Sequence, residues 1–278
     1  MTLRRYTEVD VFSPVAYRGN PVAVVHDADD LTTEQMQRFA KWTNLAETTF
    51  LLRPTTPAAD YRVRIFSASQ EFPFAGHPTL GSALAWLHAG GVPQRSGDVV
   101  QECGAGLIPV RVEDAKLAFA APPLTRFGPV DEAELGEVAE ILGIDRAAIQ
   151  DASWLVNGPE WMGVRLASAA DVLALRPDPA ALGARCIGVI GEHPRGNEVR
   201  FEVRAFVGND PVWEDPITGS LNAGLAHWLR ESAMVTDGYV AAQGTVIGHK
   251  GRVHVSYDNG RIWVGGNAFV CVDGRVEL

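Results

Sequence analysis

The sequence predicts an α+β protein built from two similar halves, each a set of antiparallel strands around one buried central helix. Three observations predict it. Gly76-His77-Pro78-Thr79-Leu80-Gly81-Ser82 and Glu214-Asp215-Pro216-Ile217-Thr218-Gly219-Ser220 share one grammar. Each runs into an uncharged Ala/Gly/Leu stretch ending in Trp-Leu, at Trp86-Leu87 and Trp228-Leu229. Upstream, the alternating run Tyr61 to Phe66 precedes the first unit much as Phe201 to Phe206 precedes the second.

A chain of 278 residues, 46% hydrophobic and 21% charged, suits two globular domains, each able to bury its own core. The net charge of −10 argues against nucleic acid or an anionic membrane as main partner, since either would require a basic face. Met1 to Pro14 mixes charged and apolar residues and lacks the apolar core of a signal peptide, so a cytoplasmic location is expected. No Asp, Glu, Lys or Arg occurs between Phe72 and Gln94, but three prolines and two histidines there speak for a loop and a core helix rather than a membrane span. Cys103, Cys186 and Cys271 are odd in number and widely separated, and are expected as buried reduced thiols rather than metal ligands.

In chain order, Arg5 to Phe12 and Pro21 to Val25 form a hairpin across a Gly19-Asn20 turn. Thr32 to Thr43 places Met36, Phe39 and Ala40 at helical spacing, with Thr32 and Gln35 as a capping box. Leu45 to Leu52 and Asp60 to Phe66 resume strand character. The helix expected from Pro78 is apolar on every side, which calls for enclosure by sheet. Strands are expected at Val99 to Cys103, Leu107 to Val112 and Leu117 to Ala120. Ala121-Pro122-Pro123 then divides an N-terminal half, 1–123, from a C-terminal half, 124–278. Asp131 to Leu142 is an amphipathic helix stopped by Gly143, followed by strands at Trp161 to Leu166 and Cys186 to Ile190. After the second unit, Arg252 to Tyr257 and Arg261 to Gly265 form a hairpin turning at Asp258-Asn259-Gly260. Gly265-Gly266-Asn267-Ala268 introduces the last strand.

A proline just after His77 and just after Asp215 suits the first position of a helix, which places both residues at helix N-termini. Such ends present unpaired N–H groups and a partial positive charge, which favour a bound anion. Each residue also has a plainer explanation. A buried, hydrogen-bonded histidine is ordinary, and aspartate before proline is a routine cap. The apparent repeat that pairs them makes them candidates. Glu47, in a strand-like segment, would ordinarily face solvent. Gly81-Ser82 and Gly219-Ser220 read equally as close helix packing or as donors to a ligand carboxylate. There is no phosphate-binding loop, nucleophile elbow, zinc helix or dinucleotide fingerprint, so neither a cofactor nor a metal is expected.

Asn44-Leu45-Ala46-Glu47-Thr48-Thr49-Phe50, Phe74-Ala75-Gly76-His77-Pro78-Thr79, Glu214 to Ser220 and Gly265-Gly266-Asn267-Ala268 resemble the phenazine-biosynthesis (PhzF-like) isomerase family. Gly19 to Val24, Gln243-Gly244 and Gly251-Arg252 also fit, in the expected order. The resemblance implies a diaminopimelate-epimerase-like fold, its active site in a cleft between pseudo-symmetric halves, and often a homodimer; the final strand, from about 267, can return to the first half. It implies Glu47 as proton shuttle, His77 and Asp215 as groups that orient substrate and assist proton transfer, and Gly76, Gly219 and Ser220 as holders of a substrate carboxylate. A single carboxylate that takes and returns a proton requires a raised proton affinity. Epimerases of this fold carry a cysteine at each central helix start, and this chain does not. Val207 to Trp213 departs from the family pattern where the loop should border the cleft.

Three functions stand against one another. The first is a cofactor-independent isomerase of a small cyclic or unsaturated amino or hydroxy acid, as in trans-2,3-dihydro-3-hydroxyanthranilate isomerisation. The second is a racemase or epimerase of the same fold, and the third a non-catalytic carboxylate-binding protein.

Overall fold

The computed structural model describes residues 2–113, 116–209 and 212–278. It divides into two compact units, Met1–Ala120 with Gly265–Leu278, and Ala121–Val264.

In the first unit, β1 (Leu3–Val11) and β2 (Asn20–Val25) pair antiparallel, with Val9 opposite Val22, as the alternation requires. Helix α1 (Thr33–Thr43) opens with the expected capping box. The Gln35 N–H donates to Thr32 Oγ1, and the Thr32 N–H donates to Gln35 Oε1. It sends Met36, Phe39 and Ala40 inward and ends at Asn44, whose φ of 57° closes the helix in the left-handed region. Strand β3 (Glu47–Leu52) then lies parallel to β2 and antiparallel to β4 (Tyr61–Phe66). The short β5 (Glu71–Phe72) folds back on β4 and leads into α2 (Gly76–His88). Strand β6 (Asp98–Cys103) runs parallel to β4, and β7 (Gly106–Glu113) and β8 (Lys116–Ala120) follow antiparallel. The two parallel pairings fall where a helix carries the chain across the sheet, α1 between β2 and β3 and α2 between β4 and β6.

Helix α2 touches β1, β2, β3, β6, β7 and β8, so its uniformly apolar surface is enclosed by strands. Its fit is tight. A methyl group on Gly81 would stand 2.2 Å from Val22 Cγ1, so Gly81 is a packing residue that lets helix and strand meet. Ser82 is buried beside it and donates to Thr49 Oγ1 at 2.9 Å. The packing explanation therefore holds for Gly81-Ser82.

The second unit begins with β9 (Arg126–Pro129), α3 (Glu132–Leu142), β10 (Asp151–Val156), β11 (Trp161–Arg165) and α4 (Ala169–Ala174). Helix α3 stops where expected, at Gly143 with φ 68°. Leu135, Val138 and Leu142 of α3 pack with Val164, Val172, Ile187 and Phe206 in this unit's core. Strand β12 (Cys186–Glu192) lies parallel to β11 and antiparallel to β13 (Phe201–Val207). The short β14 (Glu214–Asp215) folds back on β13 and leads into α5 (Gly219–Glu231). Strand β15 (Tyr239–Gln243) runs parallel to β13, and β16 (Gly251–Asp258) follows antiparallel. The order β4-β5-α2-β6 of the first unit thus recurs as β13-β14-α5-β15.

The turn at Asn259 and Gly260 has φ of 49° and 75°, the signature of a two-residue hairpin, and leads into β17 (Arg261–Glu277). The sequence predicts two strands here, broken at Gly265-Gly266; one strand of 17 residues is found. Gly265 serves a close approach instead of a turn, because a methyl group there would meet Leu117 O at 2.2 Å. From Ala268 to Glu277 the strand pairs antiparallel with β1.

Cys103, Cys186 and Cys271 are free thiols, half-buried rather than buried. Among the described residues no helix is long and apolar enough to cross a membrane, and no group of three or more His, Cys, Asp or Glu could hold a metal ion.

Candidate active site

The first cluster lies where β3 begins and α2 begins. Glu47 is the first residue of β3, and the αL closure of α1 at Asn44 turns the chain into it. Its side chain is only 17% exposed, against the ordinary expectation for a glutamate in a strand, and its Oε2 stands 3.2 Å from Nε2 of His77. His77 is buried, with a ring N–H donating to the carbonyl of Pro21. Burial lowers its pKa to about 3, although the Pro21 bond opposes that shift. The ring is therefore neutral at pH 7, and the contact with Glu47 is not an ion pair. Since Pro21 holds the proton on the other ring nitrogen, Nε2 turns its lone pair toward the carboxyl.

The second cluster opens α5. Asp215 ends β14, and its Oδ2 accepts from the Thr218 hydroxyl at 2.6 Å. Gly219 and Ser220 are the first helical residues, and the first intrahelical bond is from the Asn222 N–H to Thr218 O at 3.1 Å. The amides of Gly219 and Ser220 thus belong to the set that a helix leaves for other acceptors. Trp161 Nε1–H donates to Ser220 Oγ at 3.0 Å, which leaves the hydroxyl proton to be donated in turn. Asn157 Nδ2 donates to Ser220 O at 2.9 Å.

The geometry corrects the register of the repeat. Helices α2 and α5 have 13 residues each and begin at Gly76 and Gly219. Glu71-Phe72 of β5 therefore corresponds to Glu214-Asp215 of β14, and His77 corresponds to Ser220. Neither proline is the first helical residue: Pro78 is third in α2, and Pro216 precedes the Thr218 cap of α5. So His77 lies in a first helical turn as expected, whereas Asp215 precedes its helix and meets the cap through Thr218. An extended residue before proline is common outside helices as well, so an Xaa-Pro pair does not by itself mark a helix start. Gly76, the remaining candidate, is the buried first residue of α2.

The true repeat shows in other residues. Arg64 clamps Glu71 with two hydrogen bonds of 2.7 and 2.6 Å, and Arg204 clamps Glu214 with two of 2.9 and 2.8 Å. Each guanidinium also lies over the phenylalanine two residues on, Phe66 or Phe206. Gln101 and Gln243 are both fully buried, and each donates to a threonine hydroxyl at the opening of its unit's central helix, Thr79 or Thr218, at 2.9 Å. Both glutamines stand fifteen residues after the Trp of the Trp-Leu pair, a spacing visible in the sequence. Asn157 and Trp161 carry no comparable signal; only the fold brings them to Ser220. In the Val207 to Trp213 loop, Asp210 and Pro211 lie outside the described residues.

Residues 9–274 match the model of the phenazine biosynthesis-like protein family, PhzC-PhzF. The chain belongs to this family. Among curated members it is 35% identical to antisense-enhancing sequence 1 of Schizosaccharomyces pombe, over 99% of both chains. It is 32% identical to trans-2,3-dihydro-3-hydroxyanthranilate isomerase of Pseudomonas aeruginosa, over 99% of this chain and 100% of that one. A crystal structure of the Bacillus anthracis PhzF-family protein superposes with a TM-score of 0.84 at 23% identity, covering 100% of both chains. A hydroxyproline epimerase from Agrobacterium vitis superposes with a TM-score of 0.60 at 13% identity, covering 99% of this chain and 92% of that one, which shows a shared fold. The fold is thus the diaminopimelate-epimerase-like α+β architecture. The enzymes named among these family relatives are isomerases, and isomerase is the class of this chain.

Proposed function

We propose that the protein catalyses a cofactor-independent proton shift on a small cyclic or unsaturated amino or hydroxy carboxylic acid, as trans-2,3-dihydro-3-hydroxyanthranilate isomerase does by name. The observation that carries this reading is the 3.2 Å approach of Glu47 Oε2 to a neutral, buried His77. As a carboxylate, Glu47 faces the imidazole lone pair and gains by taking a proton from a substrate carbon. Once protonated, its O–H has Nε2 as an acceptor until the proton is returned to another carbon of the substrate, across the double bond that shifts. One group that removes and redelivers a proton in this way needs no second base. In this reading Asp215 orients a polar substituent of the substrate, while the amides of Gly219 and Ser220 and the Ser220 hydroxyl hold its carboxylate at the start of α5. Gly76 contributes at the start of α2. A homodimer and a cytoplasmic setting belong to the same proposal.

A racemase of this fold is the second reading. Two-thiol epimerisation would require cysteines at the two helix starts, where this chain has Gly76-His77 and Gly219-Ser220. The test is proton NMR of the enzyme in D2O with trans-2,3-dihydro-3-hydroxyanthranilate, with chiral analysis of the product. A shifted double bond supports the isomerase, with protium at the new carbon where Glu47 returns the same proton and deuterium where that proton first exchanges with solvent. Recovery of the same skeleton with inverted configuration supports the racemase.

A further inference from the structure

Gln243 uses every hydrogen-bonding capacity of its side-chain amide at the opening of α5. Its Nε2 donates to Asp215 O at 3.1 Å and to Thr218 Oγ1 at 2.9 Å. Its Oε1 accepts from the Thr218 N–H at 3.1 Å and from Asn222 Nδ2 at 2.9 Å. The orientation of the amide is forced by its neighbours. A backbone N–H can only donate and a backbone carbonyl can only accept, so the atom facing Thr218 N must be oxygen and the atom facing Asp215 O must be nitrogen. Asn222 is fixed in the same way, because its Nδ2 also donates to Thr218 O at 2.9 Å.

A direction follows for the Thr218 hydroxyl. One of its lone pairs is taken by Gln243 Nε2, and its own proton points to Asp215 Oδ2 at 2.6 Å. That hydroxyl makes no capping bond to its helix, although Thr218 holds the cap position and threonine is a favoured cap. The capping bond is forgone and the hydroxyl serves Asp215 instead. Gln243 and Asn222 are fully buried and Thr218 nearly so, which shields the chain of bonds from competing water.

We propose that Gln243 is a positioning residue which, through the Thr218 hydroxyl, holds Asp215 as an ionised hydrogen-bond acceptor beside the Gly219-Ser220 amides. Nothing in the relay touches substrate; it fixes the charge and rotamer of the group that does. The proposal rests on Asp215 being a site residue. The glutamine of the first unit is arranged alike but without the acid: Tyr61 O–H donates to Gln101 Oε1 at 3.0 Å, and Gln101 Nε2 donates to Thr79 Oγ1 at 2.9 Å. The shared part orders a helix opening, and the part found only in the second unit is the donation to a carboxylate.

The test is a carbon-13 NMR titration of aspartate carboxyls in the substrate-free protein, with Asp215 assigned through Asp215→Asn. Wild type is compared with Gln243→Met, Thr218→Val and Thr218→Ser. Removing a hydrogen bond to the charged form should move the Asp215 midpoint upward by about 1 pH unit in Gln243→Met and Thr218→Val. Thr218→Ser, which keeps the hydroxyl, should titrate as wild type does. A Thr218→Val midpoint equal to wild type overturns the relay, and an unmoved midpoint in folded Gln243→Met overturns the role of Gln243. If Gln243→Met does not fold, the valine and serine pair still decides whether Thr218 donates to Asp215. No substrate is used, so a failed turnover assay beside shifted midpoints would count against the isomerase reading and leave the relay standing.

Discussion

Nε2 of His77 stands 3.2 Å from Oε2 of Glu47 while burial keeps the ring neutral, its pKa lowered to about 3. A neutral imidazole held at its far side by Pro21 is a fixed acceptor. The partner carboxyl can therefore alternate between anion and acid without a change in the ring's own charge.

The same burial makes stability depend on pH. His26 is also buried and its pKa is lowered to about 4, chiefly by burial. In the unfolded chain both rings take up a proton near pH 6.5, whereas the native rings do so only near 3 and 4. Acid thus favours unfolding: this contribution to stability is complete above about pH 6.5 and is lost as the pH falls. The unfolding free energy should drop by up to about 2.7 kcal/mol per pH unit between pH 6 and 4.5, two protons at about 1.36 each. His26→Gln should remove about half of that slope. Urea titrations at a series of pH values check this, and a flat profile from pH 7 to 5 would contradict it.

The two arginine clamps should differ in weight despite equal geometry. Arg204 and Glu214 are 3% and 4% exposed, and Arg204 Nη1 also donates to the carbonyls of Val172 and Leu175. Arg64 and Glu71 are 24% and 38% exposed. Arg204→Met would strand a buried carboxylate and should destabilise by about 3–5 kcal/mol. Arg64→Met should lower stability by less than about 1 kcal/mol, since water screens and replaces the lost contact. Comparable losses in denaturant unfolding would show that the two environments are alike.

Gly81→Ala should destabilise by about 1–3 kcal/mol through overpacking against Val22. Val22→Ala in the same chain makes room for the added methyl, so the double variant should be more stable than the sum of the two single losses. Additive losses in thermal unfolding would mean that helix and strand shift apart instead.

Much of the fold is legible in the sequence because it is written locally. The Thr32-Gln35 box, the Gly143 stop, the Asn259-Gly260 turn and the Trp-Leu helix ends each act within a few residues of themselves. What local signals could not carry was register. His77 and Asp215 matched by their prolines, while the fold matches His77 to Ser220 because strand pairing and helix starts fix the correspondence. Gly265-Gly266 had the composition of a turn, and only the neighbouring backbone of Leu117 explains why glycine sits in a continuous strand. Glu47 is a candidate by family resemblance alone and His77 by the repeat as well; no periodicity brings these two residues, thirty positions apart, together, and the meeting of β3 with α2 does. The buried glutamines are legible through their spacing from Trp86 and Trp228, a match that follows the Trp-Leu pairs and is one residue out of step with the helix starts.

In the proposed mechanism Glu47 is the group that moves the proton. The measurement that decides this is the rate of the double-bond shift in trans-2,3-dihydro-3-hydroxyanthranilate, followed by NMR for wild type and Glu47→Gln, with ligand affinity measured on both. Wild type should turn over, the variant should be slower by at least about 10²-fold, and the two affinities should lie within a few-fold of each other. A Glu47→Gln variant that binds and isomerises as fast as wild type would show that another group moves the proton.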